Sequence, residues 1–212
     1  MHPWRKNGAE AFSLRLSIFS IGGFMPFAVW ITGLPGSGKS TIAKELIKSL
    51  KNTEYLRLDE IRKKYIKEPK FTDEERELVY SKFIDEGISK IGQGKNVVYD
   101  ATAHKLIWRS KARSGIKDFI EVHVKCPINV CMERESSRSG GLVLADLYKR
   151  SLERKKTGKQ FSGLGKVVGV DVPFEENENT EIVIDSVTLT PKEAAGIIFE
   201  ELKKRGWGEK ND

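Results

Sequence analysis

The stretch Gly33-Leu34-Pro35-Gly36-Ser37-Gly38-Lys39-Ser40, continued by Thr41, carries the plainest chemistry in the chain. Its pattern is G-x-x-x-x-G-K-S. The glycines let the main chain turn sharply and aim its N–H groups at an anion. Lys39 is placed to reach the outer phosphates of a nucleotide, and the Ser40 hydroxyl suits Mg²⁺. A helix starting near Lys39 would point its positive end at the same spot. Two acids further along could serve such a pocket. Asp59 closes the run Leu-Arg-Leu-Asp, and Arg62 follows three residues later, so both can face one cleft from the first turn of a helix. Phosphoryl transfer works mainly by positioning and charge neutralisation. An aspartate there orients the metal or accepts the proton of an acceptor hydroxyl. Asp100 closes Val-Val-Tyr-Asp and could hold the water shell of the metal. Aspartate is also a favoured helix N-cap, and both positions admit that plainer role.

The elements that must position these residues follow from hydrophobic periodicity. Phe27 to Thr32 is a nearly continuous apolar run, as expected of a strand buried on both faces of a parallel sheet. Ile42, Ala43, Leu46, Ile47 and Leu50 then repeat at helical spacing. Further strands are expected at Glu54–Leu58, Asn96–Asp100, Phe119–Lys125 and Glu181–Asp185. A long helix should open with a capping box of Thr72 and Glu75, and another should run from about Ile128 to Glu135. A last helix should open at Thr190, Pro191 and Glu193. Strand and helix alternate throughout, which predicts a three-layer α/β domain around a parallel, five-stranded sheet. Residues 136–173 break the rhythm: they are rich in Lys, Arg, Ser and Gly and show no regular apolar spacing. A polar insertion of that length is expected to be a lid over the nucleotide or a solvated excursion.

Composition narrows the classes. The 212 residues are 39% hydrophobic and 32% charged, with a net charge of +7. That suits one globular domain and anionic partners. Two cysteines, Cys126 and Cys131, make no disulfide framework and point to a reducing compartment, hence a cytoplasmic protein. Three scattered histidines form no metal-ligand cluster with them. Residues 1–24 include an apolar run, but Arg15 interrupts it and no signal cleavage site follows. The run is too short to span a membrane. The expectation is an N-terminal extension at 1–24, with the kinase domain at 25–212. Size argues against a motor, and no guanine-recognition signature argues for a switch. A small domain with a basic lid fits a kinase of small acceptors best.

Taken in order, WITGLPGSGKST, DEIR, FTDEER, CPINVCMERE, KQFSG and DVPFE resemble the adenylylsulfate kinase family, from about Phe27 to Leu202. The resemblance implies the P-loop kinase fold, a homodimer, and transfer of phosphate from MgATP to the ribose 3′-hydroxyl of adenosine 5′-phosphosulfate. Asp59 and Arg62 fall on the second acid and the arginine of the family's D-G-D-N-x-R motif. Phe71 and Arg76 fall on F-S-x-x-D-R, and Lys159 and Phe161 on the lid motif K-x-F-T-G. By that resemblance Arg62, Arg76 and Lys159 belong to the acceptor site, and Phe71 and Phe161 sandwich its adenine. Arg134 and Arg138 are the lid arginines expected to neutralise ATP. The chain also departs from the pattern. Arg57 and Leu58 replace the first Asp and the Gly of D-G-D, and Val79 replaces a substrate-binding Asn. The segment DATAHKLIWRSKAR is one residue longer than its counterpart, although its arginines survive as Arg109 and Arg113. Two other readings stay open: a kinase of another small hydroxyl-bearing metabolite, and an ATP-using enzyme of nucleic-acid ends.

Overall fold

The alternation of side chains along the first strand sets the layers. The structure, a computed structural model, describes residues 25–69, 71–137 and 146–207. Strand β1 (Ala28–Thr32) is buried at every residue. Phe27, Val29 and Ile31 face a cluster built from Ile42, Ala43 and Leu46 of α1 (Lys39–Ile47) and Ile198 and Leu202 of α7 (Pro191–Lys204). Ala28 and Trp30 face the opposite way, onto α2 (Leu58–Tyr65), α3 (Asp73–Gly92) and α4 (Leu106–Gly115). A strand whose two faces both carry apolar residues needs a helical layer on each side. The predicted three-layer α/β architecture is therefore the observed one.

The sheet has five parallel strands in the order β2-β3-β1-β4-β5. Their spans are β2 (Thr53–Arg57), β3 (Asn96–Asp100), β4 (Phe119–Lys125) and β5 (Ile182–Asp185). All five lie where the apolar runs placed them, to within a residue at each end. Because β1 has β3 on one side and β4 on the other, the chain reverses its winding direction there. A crevice opens above the C-terminal end of β1, and parallel α/β sheets bind ligands at such a point.

Helix ends follow local chemistry. Thr190 and Glu193 form the expected reciprocal capping box on α7. On α3 only half of the expected box forms. The Thr72 hydroxyl accepts from the Glu75 N–H at 3.2 Å, but the Glu75 carboxylate is drawn elsewhere, as described below. The region 136–173, in which the sequence showed no element, contains α6 (Leu147–Thr157), which follows α5 (Ile128–Ser136). Tyr148 and Cys131 are fully buried there with Leu164 and Val167 around them. The apolar residues of this cluster come from three separate segments, so no single-segment periodicity reveals them. The expected extension at 1–24 lies outside the described residues.

One close approach tests the packing. Gly87 of α3 faces Tyr99, and a Cβ there would come closer than 3.0 Å to the phenol. Tyr99 cannot retreat, because it stacks on Trp30 at 4.8 Å and meets Phe83 edge-on at 5.0 Å. Gly87→Ala should cost about 1–3 kcal/mol through overpacking, read as a melting temperature several degrees lower. An unchanged melting temperature would show that α3 can back away from the sheet freely.

Candidate active site

The phosphate loop is shaped by three glycines with positive φ: Gly33 at 141°, Gly36 at 82° and Gly38 at 101°. Gly33 lies against the Val124 carbonyl and Gly36 against the Cys131 carbonyl, each too close for any Cβ. Gly38 is the N-cap of α1, with no side-chain cap and no acid in the first turn. The helix start therefore offers bare N–H groups and an uncompensated positive end. The Lys39 ammonium donates to the Leu34 carbonyl at 2.8 Å, which folds it over the loop. The Ser37 hydroxyl is buried with no hydrogen-bond partner among the described residues. Thr41 stands exposed in the first turn of α1. The Tyr148 hydroxyl of α6 donates to the Pro35 carbonyl at 2.8 Å and ties the loop to the insertion.

Two acids stand beside this loop. Asp59 is in the first turn of α2, whose N-cap is Arg57, and Asp100 ends β3, five residues before the N-cap of α4 at Lys105. Neither acid caps a helix. Burial and the nearby Asp100 charge raise the Asp59 carboxyl above the usual carboxylate range, while Arg62, Arg57 and Lys39 pull it back down. Asp100 accepts from the Tyr55 hydroxyl at 2.8 Å and lies 3.9 Å from Arg57 Nε. Tyr55 also meets Ser40, and burial together with Asp100 raises its phenol well above its usual range. Tyr55 thus joins the loop serine to the β3 acid. The sequence reading missed it, since a tyrosine in a short strand carries no signal of its own. The set has the chemistry of a hard-cation site: the Ser40 hydroxyl and two carboxylates that repel each other unless a cation intervenes.

Beyond Asp59 a cleft of about 130 Å³ opens, lined among others by Pro35, Arg62, Phe71, Arg76 and His104. Arg62 pairs with the Glu75 carboxylate at 2.9 Å and lies 4.8 Å over the Phe71 ring. The other Glu75 oxygen accepts from the Phe71 N–H at 3.0 Å. This is where the expected capping carboxylate goes: a buried guanidinium outcompetes the helix end for it. Phe71 has φ 56°, a strained value for a non-glycine residue, and Gly165 leaves the space its side chain occupies. Arg76 is buried, donates to the Lys166 carbonyl at 2.5 Å, and is less basic than usual because of its burial.

The structure thus brings Asp59, Arg62, Phe71 and Arg76 around one opening, with Lys39 and Asp100 near Asp59 and Ser40 linked to Asp100 through Tyr55. It does not bring every expected residue there. Phe161 packs at the edge of the cluster of Cys131, Tyr148, Leu164 and Val167, and is absent from the cleft lining. Lys159 pairs with Glu153 at 2.9 Å and covers the Phe161 ring at 4.9 Å. Arg134 donates to the Ser186 hydroxyl at 3.1 Å and carbonyl at 2.8 Å, which anchors the end of β5. Arg138 lies outside the described residues. Arg109 is fully buried against Glu121 at 3.0 Å, and Arg113 grips Glu181 in a two-pronged bond of 2.6 and 2.8 Å. These two are braces of the fold. Val79 is fully buried in the apolar core. Among the described residues, no group of three or more His, Cys, Asp or Glu could hold a metal, and no helix is long and apolar enough to cross a membrane.

Comparison with known proteins gives the family and the fold. The family model for adenylylsulphate kinase matches residues 25–185. The chain belongs to the adenylylsulfate kinase family. An adenylyl-sulfate kinase of Thermodesulfovibrio yellowstonii is 33% identical over 197 residues, covering 86% of each chain. A probable adenylyl-sulfate kinase of Archaeoglobus fulgidus is 30% identical over 167 residues, covering 76% of this chain and 97% of its own. The fold is that of the Mycobacterium tuberculosis APS kinase, whose structure is known in complex with AMPPNP and APS. The TM-score is 0.68 at 22% identity, over 84% of this chain and 98% of that one. Arg57, standing where the D-G-D motif has its first acid, is the direct ladder partner of Asp100.

Gly36→Ala should lower affinity for a fluorescent ATP analogue more than tenfold, because the loop must leave either its φ or its seat on α5. Wild-type affinity in that variant would show that the loop does not need this approach to bind nucleotide.

Proposed function

We propose that this chain is a MgATP-dependent kinase that phosphorylates the ribose 3′-hydroxyl of adenosine 5′-phosphosulfate. The observation that carries this reading is one shared opening. Pro35 of the phosphate loop lines the same cleft as Asp59, Arg62, Phe71 and Arg76. A nucleotide on the loop amides and an acceptor in the cleft would meet at Asp59. Family membership supports the acceptor.

The roles follow from the geometry. The loop amides and the end of α1 bind the β- and γ-phosphates. Lys39, which now donates to the Leu34 carbonyl, turns to the transferring phosphoryl group. Asp59 orients the acceptor hydroxyl and takes its proton, a role helped by a carboxyl pushed upward by burial and Asp100. Arg62 and Arg76 hold the acceptor's anionic oxygens, and the Phe71 ring stacks on its base. Mg²⁺ would be held by Ser40 with Asp59 and Asp100, and when bound it neutralises charge on the transferring group. The resemblance also carries a homodimer into this reading, and the two cysteines carry a cytoplasmic setting.

A second reading has its own observation. Phe161 stays out of the cleft, and Leu58 lines it where the family motif has glycine. Both favour a smaller hydroxyl-bearing acceptor.

The deciding assay is transfer from MgATP to adenosine 5′-phosphosulfate, run beside Lys39→Ala and a panel of nucleosides, sugars and RNA ends. The expected result is a 3′-phosphorylated product, reduced at least a hundredfold in Lys39→Ala. Transfer only to another panel member would move the acceptor to that class. The assignment of Asp100 has a separate test. Asp100→Ser should weaken Mn²⁺ binding to the nucleotide complex at least tenfold, read by paramagnetic resonance, and adding Arg57→Asp should recover much of it. Undiminished Mn²⁺ binding in Asp100→Ser would remove Asp100 from the site.

A further inference from the structure

The acceptor cleft contains a polar side chain with no assigned task. His104 lines it and is only 5% exposed. Among the described residues its ring nitrogens have no hydrogen-bond partner; its ring contact is edge-on to Trp108, at 5.1 Å and 78°. The nitrogens are not among the buried polar atoms that lack a partner, so they open onto the cleft that His104 lines, where a ligand or water can bond them.

The surroundings hold the ring in place. Trp108 stacks on Tyr80 at 3.8 Å, and its indole N–H donates to Glu77 at 2.8 Å. The His104 carbonyl accepts from the Glu175 N–H at 2.8 Å. Ala103, just before it, is fully buried with φ 41°, and its N–H donates to the Tyr80 hydroxyl at 2.8 Å. A left-handed alanine is strained, and strain of this kind collects where a chain must present a side chain to a ligand. Burial first, then the charges of Arg76 and Lys105, lower the imidazole pKa to about 4. The ring therefore enters the cleft neutral, with one N–H to donate.

Arg76 lines the same cleft and spends one N–H on the Lys166 carbonyl. Its guanidinium has further donors for an anion. We propose that His104 is a specificity residue for the acceptor, its neutral N–H donating to a phosphate or sulfate oxygen of the anionic group that Arg76 holds. The inference rests on the acceptor reading above. A neutral donor adds direction without adding charge. It rewards an acceptor whose oxygens reach His104 and gives nothing to one that stops at Arg76. The sequence showed only the unusual segment Asp100-Ala-Thr-Ala-His-Lys, not what it faces.

The test compares wild type, His104→Phe, which keeps the packing on Trp108, and His104→Gln, which keeps an N–H. His104→Phe should raise KM for adenosine 5′-phosphosulfate about ten- to hundredfold, the worth of a hydrogen bond to a charged group, with kcat and the KM for ATP within about twofold. His104→Gln should recover a large part of the loss. In ¹⁵N-histidine spectra, the resonance absent from His104→Phe should shift when the acceptor is added and stay put with ATP. A wild-type acceptor KM in His104→Phe, or an unmoved resonance, overturns the proposal. If the wild type does not phosphorylate adenosine 5′-phosphosulfate, the acceptor reading fails on its own. The resonance is then titrated with inorganic phosphate and sulfate: a shift keeps His104 as an anion contact, and no shift removes it.

Discussion

The phosphate loop has no room to be anything else. Gly33 and Gly36 lie so close to the carbonyls of Val124 and Cys131 that a single Cβ at either would collide with main chain. The loop is wedged between the end of β4 and the start of α5, so its amides are aimed before any ligand arrives. Preorganised dipoles of this kind need not be reoriented during reaction. Tyr148 extends the same constraint to the insertion, since its hydroxyl holds the Pro35 carbonyl while its ring fills the cluster above α5. The nucleotide-binding element and the wall of the acceptor cleft are thereby one packed unit.

Charge around that loop is balanced in pairs. Asp59 and Asp100 oppose each other, and Lys39, Arg57 and Arg62 relieve them. Arg62 is in turn held by Glu75, which also fixes Phe71 through its N–H. One carboxylate thus orients the cation and the aromatic face of the cleft together. Arg57 and Asp100 are ladder partners at the end of the sheet beside the loop. The Asp100 carboxylate is supported there by the Tyr55 hydroxyl and by Arg57.

Much of the site was legible from local signals. A phosphate loop is contiguous, its glycines and lysine act at fixed spacing, and the flanking strand and helix are read by period. Asp59, Arg62, Phe71 and Arg76 sit within two short motifs at the N-terminal ends of helices, so their convergence was also foreseeable. Arg134, Lys159, Arg109 and Arg113 were not. An arginine has the same appearance in sequence whether it meets Ser186, Glu121, Glu181 or a nucleotide, and its partners lie far along the chain. Helix α6 escaped for a related reason, because its buried residues Tyr148 and Ser151 face a cluster assembled from elsewhere.

The sequence by itself determined the five strands, the three layers, the phosphate loop and the kinase family, since each depends on period or on contiguous spacing. Only the tertiary structure decided which charged side chains are spent on one another and which face the cleft. Glu75 left its cap for Arg62, Val79 went to the core, Asp100 met Tyr55, and His104 came to line the cleft. Each outcome is a competition among partners distant in sequence, settled by burial and by the cost of leaving a polar group unpaired.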